Sequence, residues 1–406
     1  MNSKPEFGDE VEVRRSGKRY RGTFVTEDGG IVVLKLPSGY NIGVKPDGVK
    51  VISKRVPEKR SEVRRGSGPP IGLVAAGGTI LSRVDYRTGG VYALETPEEI
   101  VENVPELRDF SLRFFKPFEK MSEDMDWEDW KELALSVESA LRDSEGVVVF
   151  HGTDTMGYSS AALSFMFTSL SKPVVFVGSQ RSSDRPSSDA FLNILCAVRA
   201  ALHDMAEVCV CMHGSLSDDF CFLHRGTRVR KMHSSRRDAF VSVNSGPLAK
   251  IWADGRLEEL SDIRRRGGRT VLDTRFDDRV SLIKVHPGSD PSILELLDSS
   301  GFVLEGTGLG HLPVSARKSW IPVVKRVAEE KPVVITTQTI FGRVHTAVYS
   351  NLRVLYRTGV IPGFDMFPET AFVKLGCVLG RTKDPEKVRE MMTKNLAGEI
   401  SRRSVP

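Results

Sequence analysis

No stretch of this chain approaches the roughly 18 consecutive apolar residues of a membrane span, and the opening MNSKPEFGDE has no apolar core of the kind a secretory leader carries. The expectation is a cytoplasmic protein. Cysteine is scarce. The five present, Cys196, Cys209, Cys211, Cys221 and Cys377, are odd in number, lie mainly in apolar contexts and show no CxxC spacing. That argues against a zinc site or a disulfide frame and reads as reduced, structural thiols. A GxxxxGK[ST] phosphate cradle is missing, and no internal repeat is present. Neither charge dominates: 58 Lys plus Arg face 53 Asp plus Glu, a net +5 that is too small by itself to imply a nucleic-acid partner. What remains is ordinary globular composition, 40% hydrophobic and 27% charged over 406 residues, long enough for several domains.

The pattern changes along the chain. Up to Ile52 it consists of short alternating runs, VEVRR, YRGTFV, IVVLKL, YNIGV and VKVI, broken by turn signals such as Asp28-Gly29-Gly30 and Pro46-Asp47-Gly48. This predicts a small β-barrel or roll over residues 1–52. Residues 53–70, SKRVPEKRSEVRRGSGPP, are charged and proline-bearing without apolar periodicity, which reads as a linker. Its basic excess is read as a solvated tether, with a nucleic-acid contact as the alternative. From Ile71 onward, apolar runs (IGLVAA, GVVVF, PVVFVGS, EVCVCMH, FVLEG, PVVITTQ) alternate with amphipathic stretches such as DWEDWKELALSVESALRDS. The expected fold class is therefore α/β: the small β domain, then a large domain over residues 71–262 and a smaller one over 263–406, with mostly parallel sheets.

Two strand ends carry the chemistry, AAGGTI at Ala75–Ile80 and HGTDTM at His151–Met156. Ligands of open α/β sheets bind at the carboxyl edge of the strands. A threonine hydroxyl keeps its proton at neutral pH, so it becomes a nucleophile only beside a group that draws that proton away. Thr79 follows Gly77-Gly78, where the backbone can bend sharply toward a substrate, and Thr153-Asp154 place a hydroxyl and a carboxylate at the second end. Lys231, in RKMHSSRRDAF, adds an amine that can polarise a hydroxyl. Each segment has a plainer reading: a glycine-rich turn capping a helix, an aspartate N-cap, and a solvated cationic run.

Several longer strings (DYRTGGVY, KMSEDM, GSQRSSDRPSSDAFLNI, the RKMHSSRRDAFVSVNSGPLAKI block and TTQTIFGRVHTAVYSNLRVLYRTGVIPGFDMFPETAFVKL) occur in order across Ile71–Lys394. With AAGGTI and HGTDTM, they resemble the bacterial-type asparaginase and glutaminase family. The small β domain and VIPGFDMFPETAFVKL are similar to the branch of it that serves tRNA-dependent amidotransferases. That resemblance implies Thr79 as nucleophile, assisted or covered by Tyr86, and Thr153, Asp154 and Lys231 as a second catalytic group. It implies Ser122, with Thr153 and Asp154, as anchors of the substrate's α-carboxylate and α-amino ends. It implies a metal-free glutaminase without a cofactor of its own, a homodimer within a heterotetramer. A partner protein, the E subunit, would use ATP and magnesium to activate the glutamate on glutamyl-tRNA(Gln) and make most of the tRNA contacts. The alternatives are a free-standing asparaginase or glutaminase with an accessory β domain, and a catalytically silent RNA-binding scaffold. One departure from the family pattern is GTGLGHLP, where Leu309 replaces the asparagine usual in that glycine loop.

Overall fold

Alternation near the N-terminus produces an antiparallel sheet of β1 (Glu10–Arg15), β2 (Lys18–Asp28), β3 (Ile31–Lys35), β4 (Asn41–Val44) and β5 (Gly48–Ser53), in the order β4-β3-β2-β1-β5. The computed structural model describes residues 5, 9–36, 41–53, 68–78, 80, 82–84, 91–93, 104–182 and 187–403. The β1–β2 and β2–β3 turns place two successive residues at positive φ, Ser16-Gly17 and Gly29-Gly30, a geometry whose twist matches that of the flanking strands. Val11, Val13, Phe24, Val32, Leu34 and Val44 bury one face of this sheet into a cluster of its own. Among the described residues β4 and β5 are the two edges of this sheet. Most of the linker, residues 54–67, lies outside the described residues.

The next unit begins with β6 (Pro70–Ala75), the hairpin β7 (Ser82–Val84) and β8 (Val91–Ala93), β9 (Ser111–Phe115), α1 (Trp127–Arg142) and β10 (Gly146–Phe150). It continues through α2 (Met156–Met166), β11 (Phe167–Ser169), β12 (Val174–Val177), α3 (Ala190–Ala200) and β13 (Val208–His213). Short strands follow: β14 (Cys221–Arg225), β15 (Val229–Lys231), β16 (Phe240–Ser242), β17 (Ala249–Ile251), β18 (Leu257–Glu259) and β19 (Val271–Leu272). The eight-stranded sheet runs β18-β17-β14-β13-β12-β10-β6-β9. β9, β6, β10, β12 and β13 are parallel, and β14, β17 and β18 extend the sheet antiparallel. The parallel strands are apolar throughout because both faces are covered. Ile71, Leu73, Val148, Phe150 and Val175 pack with α3, while Val74, Val147, Val149, Val174 and Phe176 pack with α1 and α2. Each such side chain contributes about 1.5–3 kcal/mol when fully buried.

The last unit is a parallel sheet of β20 (Val280–Lys284), β21 (Gly301–Gly306), β22 (Val333–Thr337) and β23 (Ile361–Pro362) in sequential order. Its helices are α4 (Ile293–Leu296), α5 (Ile321–Glu330), α6 (Ser350–Tyr356), α7 (Pro368–Arg381) and α8 (Pro385–Thr393). Helix α7 lies against α2 of the large unit. Below this contact Arg228, 1% exposed, pairs with the fully buried Asp365 at 3.1 Å, and the Thr370 hydroxyl donates to the Thr227 carbonyl. All five cysteines are free and buried. Among the described residues no helix is long and apolar enough to cross a membrane.

Among the described residues, the core of the N-terminal sheet shares no side chain with the four clusters of the α/β units. A chain beginning at Gly66 is therefore expected to unfold cooperatively on heating, as an α/β protein by circular dichroism. A broad, non-cooperative melt would show that the N-terminal sheet is integral to the core.

Candidate functional site

β6 and β10 are adjacent and parallel, with Ala75 opposite Phe150, so the loops Ala76–Gly78 and His151–Thr155 leave the sheet side by side. Gly77 and Gly78 hold φ of +106° and +97°, which side chains rarely tolerate. There is also no room for one: a Cβ on Gly77 would collide with the Lys120 carbonyl, and one on Gly78 with the backbone of Gly152. Lys120 donates its backbone N–H to Ala76 O at 3.4 Å, and its ammonium reaches both oxygens of Asp129 at 2.7 and 2.9 Å. Asp129 in turn completes the capping box of α1 with Asp126. The segment 120–122 is thus pinned between helix and sheet, and it delivers Ser122, 2% exposed, against Gly152.

A Cβ on Gly152 would lie 2.6 Å from Ser122 Cβ and 2.7 Å from its Oγ. Gly152→Ala is expected to cost about 1–3 kcal/mol in overpacking and to depress any chemistry at this edge by about 10²-fold through misplacement. Urea unfolding alongside turnover checks this, and a variant equal to the parent in both would show that the two loops are not tightly matched.

Thr153 is 5% exposed at the end of β10. Lys231, 78 residues downstream, arrives on the β15–β16 ribbon and donates to Thr153 Oγ1 and Asp154 Oδ1, each at 2.8 Å. Its side chain is 13% exposed, whereas that of Asp154 is 66% exposed. Asp154 is not a helix cap: the residue before α2 is Thr155, whose hydroxyl donates to Ser122 O at 2.7 Å. The structure therefore brings Thr153, Asp154 and Lys231 into direct contact and sets Ser122 one loop away. Thr79 and Tyr86 lie outside the described residues, although Gly78 and the buried Ile80 on either side of Thr79 are described. A hydroxyl, a carboxylate and an amine in hydrogen-bond contact are the groups that proton transfer requires, and they stand at the kind of sheet edge where ligands of α/β folds bind.

Further contributors were not singled out in the sequence. His151 is fully buried beside Phe176, and burial pushes its imidazole down to about 4, leaving it neutral. Its Nδ1 is 2.7 Å from Gly152 O, so that nitrogen donates and the bond holds the loop from below. Gly178, just past β12, leans on the same loop: a Cβ there would meet His151 O at 2.7 Å and Thr153 Cγ2 at 2.9 Å. Asp189, fully buried, accepts the backbone N–H groups of Gln180 and Arg181 and so shapes the turn after Gly178. The polar run GSQRSSD just ahead of an amphipathic helix was the available signal. At GTGLGHLP, the backbone carbonyl of Leu309 accepts from His345 N at 3.1 Å, and its apolar side chain offers no polar contact.

Comparison with known proteins adds three family matches. The model described as "Asparaginase, N-terminal" matches residues 70–263, "Glutaminase/Asparaginase C-terminal domain" matches 279–392, and "GatD N-terminal domain" matches 5–53. The D subunit of the glutamyl-tRNA(Gln) amidotransferase from Thermococcus kodakarensis is 49% identical over 391 residues, 92% of this chain and 88% of the relative. The D subunit from Archaeoglobus fulgidus is 47% identical over 402 residues, 97% of this chain and 95% of the relative. Among solved structures, the thermostable L-asparaginase from Thermococcus kodakarensis superposes with a TM-score of 0.74 at 32% identity, covering 82% of this chain and 99% of its own. L-asparaginase I from Vibrio cholerae gives 0.72 at 28% identity, covering 82% of this chain and all of its own.

Proposed function

The chain belongs to the asparaginase and glutaminase family, among relatives that are D subunits of glutamyl-tRNA(Gln) amidotransferases, and on that premise we propose that it is the glutaminase subunit of such an enzyme. The observation that carries the reading is the Lys231 amine bonded at once to Thr153 and Asp154 at the carboxyl edge of a parallel sheet. In this proposal the Thr79 hydroxyl attacks the side-chain amide carbon of glutamine. Its proton passes through Thr153 and Lys231, with Asp154 balancing the charge, and on to the departing nitrogen, which leaves as ammonia. Water then cleaves the acyl-threonine ester, returning the hydroxyl and releasing glutamate. In the same proposal Tyr86 assists or covers the nucleophile, while Ser122, Thr153 and Asp154 hold the α-carboxylate and α-amino ends. The two-thirds exposure of Asp154 suits a group that meets an incoming ammonium.

The ammonia serves a second protein, the E subunit of the same enzyme, which activates the glutamate of glutamyl-tRNA(Gln) with ATP and magnesium and carries most of the tRNA contacts. Two copies of this chain pair within a heterotetramer in the cytoplasm, and this chain needs no cofactor of its own. The N-terminal match at residues 5–53 favours this over a free-standing asparaginase. In the assembled complex, Thr79→Ala is expected to abolish glutamine-dependent amidation while leaving amidation with added ammonium salt intact. Loss of both in a properly assembled complex would refute the division of labour. Unchanged glutamine use would remove Thr79 as nucleophile, and rapid asparagine turnover by the isolated chain would favour the free-standing enzyme.

A further inference from the structure

A chain of polar groups runs on from the supports of the candidate site, buried at Asn193 and His213 and open to solvent at Asp218. Asn193, fully buried in the first turn of α3, donates from Nδ2 to Gly178 O at 2.9 Å and to Asp189 Oδ2 at 3.1 Å. Both partners only accept, so the orientation of the amide is determined and its oxygen must face the other way. There Oδ1 lies 2.5 Å from His213 Nδ1, and the Cys221 thiol donates to it at 3.3 Å. An amide oxygen cannot donate, so Nδ1 carries a proton. The other ring nitrogen, Nε2, is 3.0 Å from Asp218 Oδ1, an oxygen that also receives Arg237 Nη1 at 2.7 Å. The Asp218 carboxylate is largely exposed and paired with the Arg237 guanidinium, so it is ionised and accepts. Nε2 therefore carries a proton as well.

The ends of this chain give it a purpose. Gly178 leans on Thr153 from the loop after β12, while Arg237 sits in the loop that follows Lys231 and also bonds the Leu216 carbonyl. We infer that His213, donating from both ring nitrogens, is a positioning residue that ties the loop supporting Thr153 to the loop supporting Lys231. Acceptors flank the ring on both sides, Asn193 Oδ1 at Nδ1 and Asp218 Oδ1 at Nε2, and Asp218 is in turn paired with Arg237. Neighbouring thiols add no charge: burial raises both Cys211 and Cys221 above the ordinary thiol range. The positioning role rests on the amidase reading above; the double donation does not.

The two are separated by nitrogen-15 histidine spectra and steady-state kinetics on the full chain. At neutral pH one ring, identified by its absence in His213→Gln, is expected to show both nitrogens protonated with slowly exchanging protons. A neutral tautomer at His213 would overturn the inference. With glutamine as substrate, Asp218→Asn and Arg237→Met are expected to lower kcat by about 10- to 100-fold with KM nearly unchanged and the melting temperature preserved, as misalignment rather than lost binding requires. Arg237→Lys should recover part of the loss. Should His213→Gln fail to fold, these two variants on the open side of the ring still decide the matter: parental kcat in both would overturn the positioning role. An inactive parent chain would remove the amidase reading and the positioning role with it, leaving the spectrum to decide the double donation.

Discussion

Replacing Lys231 with methionine is expected to lower kcat for glutamine hydrolysis by about 10²- to 10⁴-fold, the range associated with a positioned proton-transfer group. Methionine fills similar space with an unbranched chain but can neither carry a proton nor donate to Thr153 and Asp154, which Lys231 reaches at 2.8 Å. Stability should hardly change. The Lys231–Asp154 pair has one member two-thirds exposed, and ion pairs open to water contribute only about 0–1 kcal/mol. Lys231→Arg should not restore the rate, because a planar guanidinium fork does not reproduce a single ammonium between two oxygens and does not release its proton. Ammonia release at saturating glutamine, beside a thermal melt, checks the expectation. A kcat near that of the parent would exclude Lys231 from the chemistry, whereas a collapse of the melt would reveal a structural role.

The second large effect is on stability. Asp365→Asn is expected to destabilise the chain by about 3–5 kcal/mol, because it leaves a buried guanidinium without its counter-charge. Arg228 is 1% exposed, and burial pulls its guanidinium below its ordinary value against the compensating charge of Asp365. The same carboxylate receives the backbone N–H and hydroxyl of Ser401, and its backbone carbonyl accepts from Asn244 at 2.8 Å. Pairing the substitution with Arg228→Met should recover part of the loss, since neither charge is then stranded. Urea unfolding measures both. A loss under about 1 kcal/mol for the single variant would mean that water reaches the pair and the junction is softer than its burial implies.

The strand ends could be recognised in the sequence because two local signals coincide there. GVVVF and IGLVAA are apolar at every position, as only a strand covered on both faces requires, and each ends in glycine and hydroxyl residues. The same logic fails for β14, β17 and β18. Their short mixed strings, CFLHR, AKI and LEE, are too short to show a period and are not uniformly buried, and they are strands because each finds an edge to pair with, β14 on β13, β17 on β14 and β18 on β17. His213 is illegible in the sequence for a related reason. A histidine ending an apolar strand resembles a core residue until Asn193, Asp218 and Arg237 are seen around it.

By itself the sequence determined the order of the units, the two threonine-bearing strand ends, and the chemical groups available to them. These follow from local composition, since solvent-excluded strands, turns and caps are dictated by neighbouring residues. The grouping of Lys231 with Thr153 was implied by the family resemblance, but only the tertiary structure decided the contact that spans 78 positions, that Gly77, Gly78 and Gly152 are required by close approach, and that Arg228 finds Asp365 at the junction of the two α/β units. Such meetings depend on which strands become neighbours. That choice follows from the free energy of burying whole faces of the sheets, and no short stretch of residues encodes it.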